Sequence, residues 1–313
     1  MPDILDPLPP DAPAPAGTEV PAADAQPAPP QKRQVGPSRK GAKDVVIERF
    51  EQKFILHPRL VPPIRKYLES FTVGDPNGQG EVPEYVTTTL QLDTPTMDLA
   101  LAKERKCFAR FKLRIRTYGT DSNPSAPVFF ELKRKVGIVI IKSRARIKRG
   151  QFKTDIIVHP ERAPMLKSPK ENNNFLEFCR VSNAIGARPK MLIRYIRESY
   201  FGANDDYARI TFDRRLCYRP TREWRLPGEE VADFKYWRPL DVQMALRRPF
   251  AGYVFELKAM RDTPTWMIDL VRRFNLGNTG FCKYAAAWRM ETLFRGFMYA
   301  DGSENCTTTD NWI

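Results

Sequence analysis

Histidine is nearly missing from this chain, with only His57 and His159 among 313 residues. A histidine-rich zinc centre and a serine–histidine–aspartate triad are therefore both poorly supported. Cysteine is sparse too: Cys107, Cys179, Cys217, Cys282 and Cys306 form no C-x-x-C pair, and their odd number argues against a disulfide framework. No apolar run approaches the roughly 18 residues of a membrane-crossing helix. The opening MPDILDPLPPDAP lacks the basic start and apolar stretch of a secretory signal. These absences predict a soluble, cytoplasmic protein whose chemistry rests on carboxylates, lysines and arginines.

Positive charge is what the chain has in excess, with a formal net charge of +14. Residues 1–43 hold 11 of the 28 prolines, and their five acidic and five basic side chains cancel, so the excess lies beyond them. Hardly any large apolar side chain occurs there to offset ordering entropy, which predicts a disordered Pro/Ala-rich tail. The folded domain is expected over 44–298, followed by a second tail over 299–313. Its charge balance calls for a polyanionic partner: nucleic acid, an anionic membrane surface or phosphate-rich molecules. No RNP-like aromatic strand or zinc finger supports nucleic acid.

Eight strand-like segments and several helices follow, without βαβ alternation, which favours an antiparallel sheet large enough to curl or close. A helix is predicted to start near Pro62. Another is predicted to end at Gly186, and a third to be capped by Thr263 or Thr265. Phe-Glu-x-Lys occurs three times, at Phe50–Lys53, Phe130–Lys133 and Phe255–Lys258. In a strand the Glu and Lys share one face and the Phe takes the other. The same alternation groups Lys112, Arg114 and Arg116, then Lys142, Arg144 and Arg146, then Arg209, Thr211 and Asp213.

A sheet wet on one side gives this alternation as well. Yet stacked like charges repel by about 0.2 to 1 kcal/mol per directly opposed pair, so something anionic is expected to balance them. Closure into a barrel would line a lumen with the charged faces and bury the apolar ones, Phe50, Phe130 and Phe255 included, beneath helices. Such a bore suits a chain of phosphates with a divalent metal held by carboxylates.

In order, ERFEQKF, RFKLRIRTYG, FFELKRKVG with IKSR, IRYIRESYFG, ARITFDRRL, YVFELKAM and GFCKYAAA resemble the VTC domain. That domain is the polyphosphate polymerase module of the triphosphate tunnel, or CYTH-like, superfamily, and the resemblance covers roughly Asp44 to Ala287. It implies an α+β fold: a closed antiparallel eight-stranded β-barrel with helices packed outside. It further implies phosphate-binding and catalytic roles for Lys53, Arg114, Arg116, Lys133, Lys142, Arg197, Arg209 and Lys283, with Arg144 beside them. Glu256 and Glu51 are the implied metal ligands, with Mn2+ or Mg2+ as the cofactor and ATP and inorganic polyphosphate as partners. Plainer readings stand beside these: Glu256 as an ion-pair partner of Lys258, and Lys283 as a helix cap.

Cys282 stands where the family usually has serine, and Arg49, Glu51 and Lys53 stand where hydrolytic relatives carry E-x-E-x-K. The missing carboxylate makes a two-metal site harder to assemble. The expected activity is therefore transfer of the terminal phosphoryl group of ATP onto polyphosphate. Inorganic or nucleoside triphosphatase activity and noncatalytic polyphosphate binding remain as alternatives.

Overall fold

The computed structural model describes residues 49–119, 123–137, 139–204, 207–224, 226, 237–260 and 262–300. The tail expected over 1–43, and residues 301–313 of the one expected over 299–313, lie outside the described residues.

One antiparallel sheet dominates. Its path runs β1 (Arg49–Leu56), β10 (Tyr253–Met260), β8 (Arg209–Pro220), β7 (Arg188–Gly202), β3 (Glu84–Asp93), β4 (Ala109–Tyr118), β5 (Pro127–Val136) and β6 (Val139–Lys148). These are the eight strands expected from sequence. Two short strands, β2 (Thr72–Gly74) and β9 (Arg238–Pro239), add to β7 and β8.

The barrel does not close. Among the described residues β1 and β6 end the path without pairing to each other, so the sheet is an open, curled half-barrel rather than the closed barrel expected. At each edge one strand carbonyl is already occupied by a group that is not a strand. Thr279 N donates to Lys53 O at 2.6 Å and the Thr279 hydroxyl donates to the same oxygen at 3.2 Å. On the other edge Asn174 Nδ2 donates to Arg144 O at 2.9 Å. A loop and a helix thus satisfy edge groups that a neighbouring strand would otherwise take.

The convex face carries two apolar layers. α3 (Asp155–Val158) and α4 (Pro169–Ala184) cover one half, where Leu113, Ile115, Phe130 and Leu132 pack on Phe175 and Phe178. α4 begins at Ser168, whose side chain accepts from Glu171 N at 3.2 Å, and it stops before Gly186 at φ +60°, as the sequence predicted. α1 (Val61–Leu68) and α6 (Thr265–Arg273) cover the other half, over Phe54, Phe212 and Phe255. α1 starts beside Pro62, where the missing proline N–H costs no helical bond. Two expectations fail here. α6 has no threonine cap, because Pro264 is its N-cap and the Thr263 hydroxyl donates back to Met260 O at 3.4 Å. Phe50, unlike Phe130 and Phe255, is 51% exposed and outside the core.

A third apolar cluster fills one end of the concave side. Met191, Ile193, Tyr195, Leu216 and Tyr218 of β7 and β8 meet α2 (Asp98–Glu104), α5 (Gln243–Leu246) and α7 (Lys283–Ala300). Asp93 fixes this corner by accepting from Leu99 N, Ala100 N and the Tyr284 hydroxyl at 2.8, 3.0 and 2.7 Å. The expectation that all helices pack outside is therefore corrected, since α7 reaches into the curl.

Candidate active site

Strand register sets the site. Lys53 pairs across from Glu256, Glu256 from Thr211, and Asp213 from Arg197. Farther around the curl, Thr89 faces Arg116, Arg114 faces Glu131, and Glu131 faces Arg144. Because side chains alternate, one face of every strand delivers its charged residues to the same hollow.

Glu131 is the hub of the first cluster. Fully buried, it meets Arg114 Nε at 2.6 Å and Arg116 Nη1 at 3.9 Å through Oε2, and Lys142 Nζ at 2.9 Å and Arg144 Nε at 3.2 Å through Oε1. Burial opposes its charge, but Arg114, Arg116 and Lys142 hold its carboxyl well below the usual range. Arg144 also lies 3.6 Å over the Phe129 ring and donates to the Tyr118 hydroxyl at 3.1 Å. Burial pushes the Lys142 ammonium down to about 8, with Glu131 opposing the shift.

The second cluster spans the unpaired edge. Lys53 Nζ stands 2.5 Å from Glu51 and 4.0 Å from Glu256, Lys133 Nζ stands 3.3 Å from Glu51, and Lys258 Nζ stands 2.8 Å from Glu256. Burial works against the Lys53 charge, yet Glu256 and Glu51 hold its pKa above the ordinary lysine value. Lys133 is drawn below that value by burial, against Glu51.

Asp213 organises the third cluster, accepting from Arg197 Nε and Nη2 at 2.7 and 2.8 Å and from Lys283 Nζ at 2.6 Å. Lys283 lies 4.6 Å from the Tyr195 ring centre. Its neighbour Cys282 accepts from Lys112 Nζ at 2.9 Å. Burial raises that thiol, but Lys112 prevails and draws it down to about 6.

The structure thus gathers Lys53, Arg114, Arg116, Lys133, Lys142, Arg144, Arg197, Lys283, Glu51 and Glu256. Arg209 shares their strand face, across from Lys258, but is exposed, with no carboxylate hub among the described residues, and lies 4.6 Å over the Phe201 ring. Sequence reasoning assigned no role to Glu131 or Asp213, although alternation had put both on the charged face.

As a metal site the donor set is thin. Among the described residues no three His, Cys, Asp or Glu side chains cluster. A hard divalent cation that takes most of its oxygens from phosphate needs only one or two carboxylates. Glu51 and Glu256, both reaching Lys53, meet that lower demand.

The VTC domain family model matches residues 48–291. No curated protein matches. Among solved structures, the PH1819 protein from Pyrococcus horikoshii OT3 is similar at 12% identity and a TM-score of 0.39, over 78% of this chain and 99% of that one. The putative adenylyl cyclase HpAC1 from Hippeastrum, a protein with a dominant triphosphatase activity, is similar at 16% identity and a TM-score of 0.39, over 76% of this chain and 94% of that one. A mimivirus capping enzyme triphosphatase is similar at 12% identity and a TM-score of 0.29, over 73% and 89%. With the family model spanning every strand of the sheet and the first half of α7, this chain belongs to the VTC domain family.

Proposed function

We propose that the chain is a polyphosphate polymerase-type phosphotransferase, moving the terminal phosphoryl group of ATP onto a polyphosphate chain in the basic hollow. The observation that carries this reading is the set of four cations, Arg114, Arg116, Lys142 and Arg144, converging on one buried carboxylate. Family membership supports it. Glu131 holds the cations in place before a ligand arrives, so little reorganisation accompanies binding.

In this reading Arg114 and Arg144 grip non-bridging oxygens in bidentate fashion, and Lys142 and Lys133 add point charges. Arg197 and Lys283, braced by Asp213, hold the phosphate chain in line for transfer. The attacking group is an already ionised phosphate oxygen, so no general base is required. The bond to the leaving phosphate breaks as the bond to the acceptor forms. Glu51 and Glu256 would hold Mn2+ or Mg2+, which when bound neutralises charge on the phosphates. Lys53 would turn from the two carboxylates to phosphate.

A second reading, triphosphate hydrolysis, is favoured by one feature: α7 and its apolar neighbours fill one end of the concave side, leaving a lengthening chain no passage there. Purified protein given ATP and Mn2+ separates the two. Acid-insoluble, polyphosphatase-sensitive polymer supports transfer, and orthophosphate release without polymer replaces transfer with hydrolysis. Neither product rejects both.

A further inference from the structure

The turn between β5 and β6 turns apolar side chains outward. Val136, Val139, Ile140 and Ile141 are 46, 43, 42 and 54% exposed, and Phe108 beside them is 73% exposed. The arrangement is built rather than frayed. Gly137 N donates to Phe108 O at 3.0 Å, and Gly137 sits at φ +55°, where a Cβ would lie 3.0 Å from the Phe108 ring. Turn and ring therefore form one unit. Val139 and Ile141 share one face of β6 and Ile140 takes the other, so apolar side chains are exposed on both faces of this strand end. Apolar side chains scattered singly over a surface need no explanation, but a group gathered at one strand end marks an interaction site.

The surroundings identify the partner. Stretches 105–119 and 132–154, which span β4, the last part of β5 and all of β6 and include the hollow's own Arg114, Arg116, Lys133, Lys142 and Arg144, contain no Asp or Glu. Lys106, two residues from Phe108, lines a cavity of about 330 Å³ together with Lys103, Arg247, Arg248 and Arg289. Its single carboxylate, Glu104, is taken by Arg289 at 3.6 Å. No other described side chain pairs with Lys106, Arg247 or Arg248. Lys106 and Arg247 each hold φ +55°, just past the ends of α2 and α5, where glycine is the usual residue. The helix dipole favours one cation at each of these ends. It does not account for five around one hollow.

We propose that this end of the molecule docks on a membrane surface rich in anionic phospholipid. The apolar turn and Phe108 enter the interfacial layer, and the neighbouring cavity receives a phosphate headgroup. An apolar prominence beside unpaired cations matches that surface in both of its layers. An acidic protein would answer only the charge. None of the residues assigned to phosphoryl transfer takes part, so the proposal holds whichever reaction the hollow performs.

Sedimentation of the full chain with phosphatidylcholine vesicles, with and without phosphatidylserine, tests it. Binding is expected only to the anionic vesicles, weakening as salt rises. The double variant Val139→Ser/Ile141→Ser and the double variant Lys106→Glu/Arg247→Glu are each expected to bind at least about tenfold more weakly. Both should keep wild-type circular dichroism and tripolyphosphate binding. In an Ile140→Trp variant the indole emission should shift to the blue on anionic vesicles. No binding by the wild type overturns the proposal, as does equal binding by the serine variant. A concentration-dependent dimer that Val139→Ser/Ile141→Ser abolishes, without vesicle binding, assigns the surface to self-association instead.

Discussion

Lys133 and Glu51 meet at 3.3 Å although their strands, β5 and β1, share no backbone ladder. Side chains thus join the two limbs of the sheet where main-chain bonds do not. Both residues are between a fifth and a third exposed, so the contact is screened and adds little to stability. Glu51→Ala removes this contact together with the 2.5 Å one to Lys53, and is expected to lower unfolding free energy by about 1 to 3 kcal/mol. The same change should weaken the apparent affinity for Mn2+ at least about tenfold, because a proposed ligand is lost. Urea unfolding and turnover against metal concentration check the two halves.

Glu131 bears more heavily on stability. It is fully buried among four cations, and removing its charge leaves them facing one another. Glu131→Gln is expected to cost about 3 to 5 kcal/mol, measured by urea unfolding. Since the folded-state pKa lies well below the usual carboxylate value, the contribution is in place above about 4.3. It is lost as pH falls through the folded-state value, so the gap between variant and wild type should narrow in acid. Tripolyphosphate should raise the Tm of the variant more than that of the wild type, because it supplies the missing negative charge.

Lys142 predicts a pH effect on binding rather than on the fold. With its pKa near 8, the ammonium is present below that pH and lost above it. Tripolyphosphate should therefore bind more weakly at pH 9 than at pH 7, by roughly tenfold if one charge-assisted hydrogen bond of about 1.5 kcal/mol disappears. Lys142→Arg should flatten the profile. At pH 8 the wild type should take up a fraction of a proton on binding, measurable by calorimetry in buffers of differing ionisation enthalpy.

Arg114 and Arg209 were given the same role by the resemblance, and the structure separates them. Arg114→Ala is expected to weaken tripolyphosphate binding at least about tenfold, since it removes a cation bonded at the hub. Arg209→Ala should change it no more than about threefold, because an exposed guanidinium stacked on Phe201 is screened by water. Calorimetric titration of both variants distinguishes them.

Strands and faces were legible because alternation is a local property: FKLRIRTY declares which side Arg114 and Arg116 take wherever the strand lies. Closure was not legible. Each edge has a carbonyl taken by a distant residue, Lys53 O by Thr279 and Arg144 O by Asn174, 226 and 30 positions away. The carboxylate hubs escaped for a related reason. Sequence shows neither acid's partners: cross-strand register brings Arg114 and Arg144 to Glu131 and Arg197 to Asp213, and the start of α7 adds Lys283. Phe50 shared its motif with Phe130 and Phe255, yet the motif carries no information about whether a helix covers that level of the sheet.

A closed ring of strands has its radius fixed by strand number and stagger. Here the strip ends at Lys53 O held by Thr279 and at Arg144 O held by Asn174, with no continuous ladder between them. Its curvature can therefore change by parting a few side-chain contacts while every strand keeps its neighbours. The width of the basic hollow is therefore set by those side-chain contacts and not by strand number and stagger.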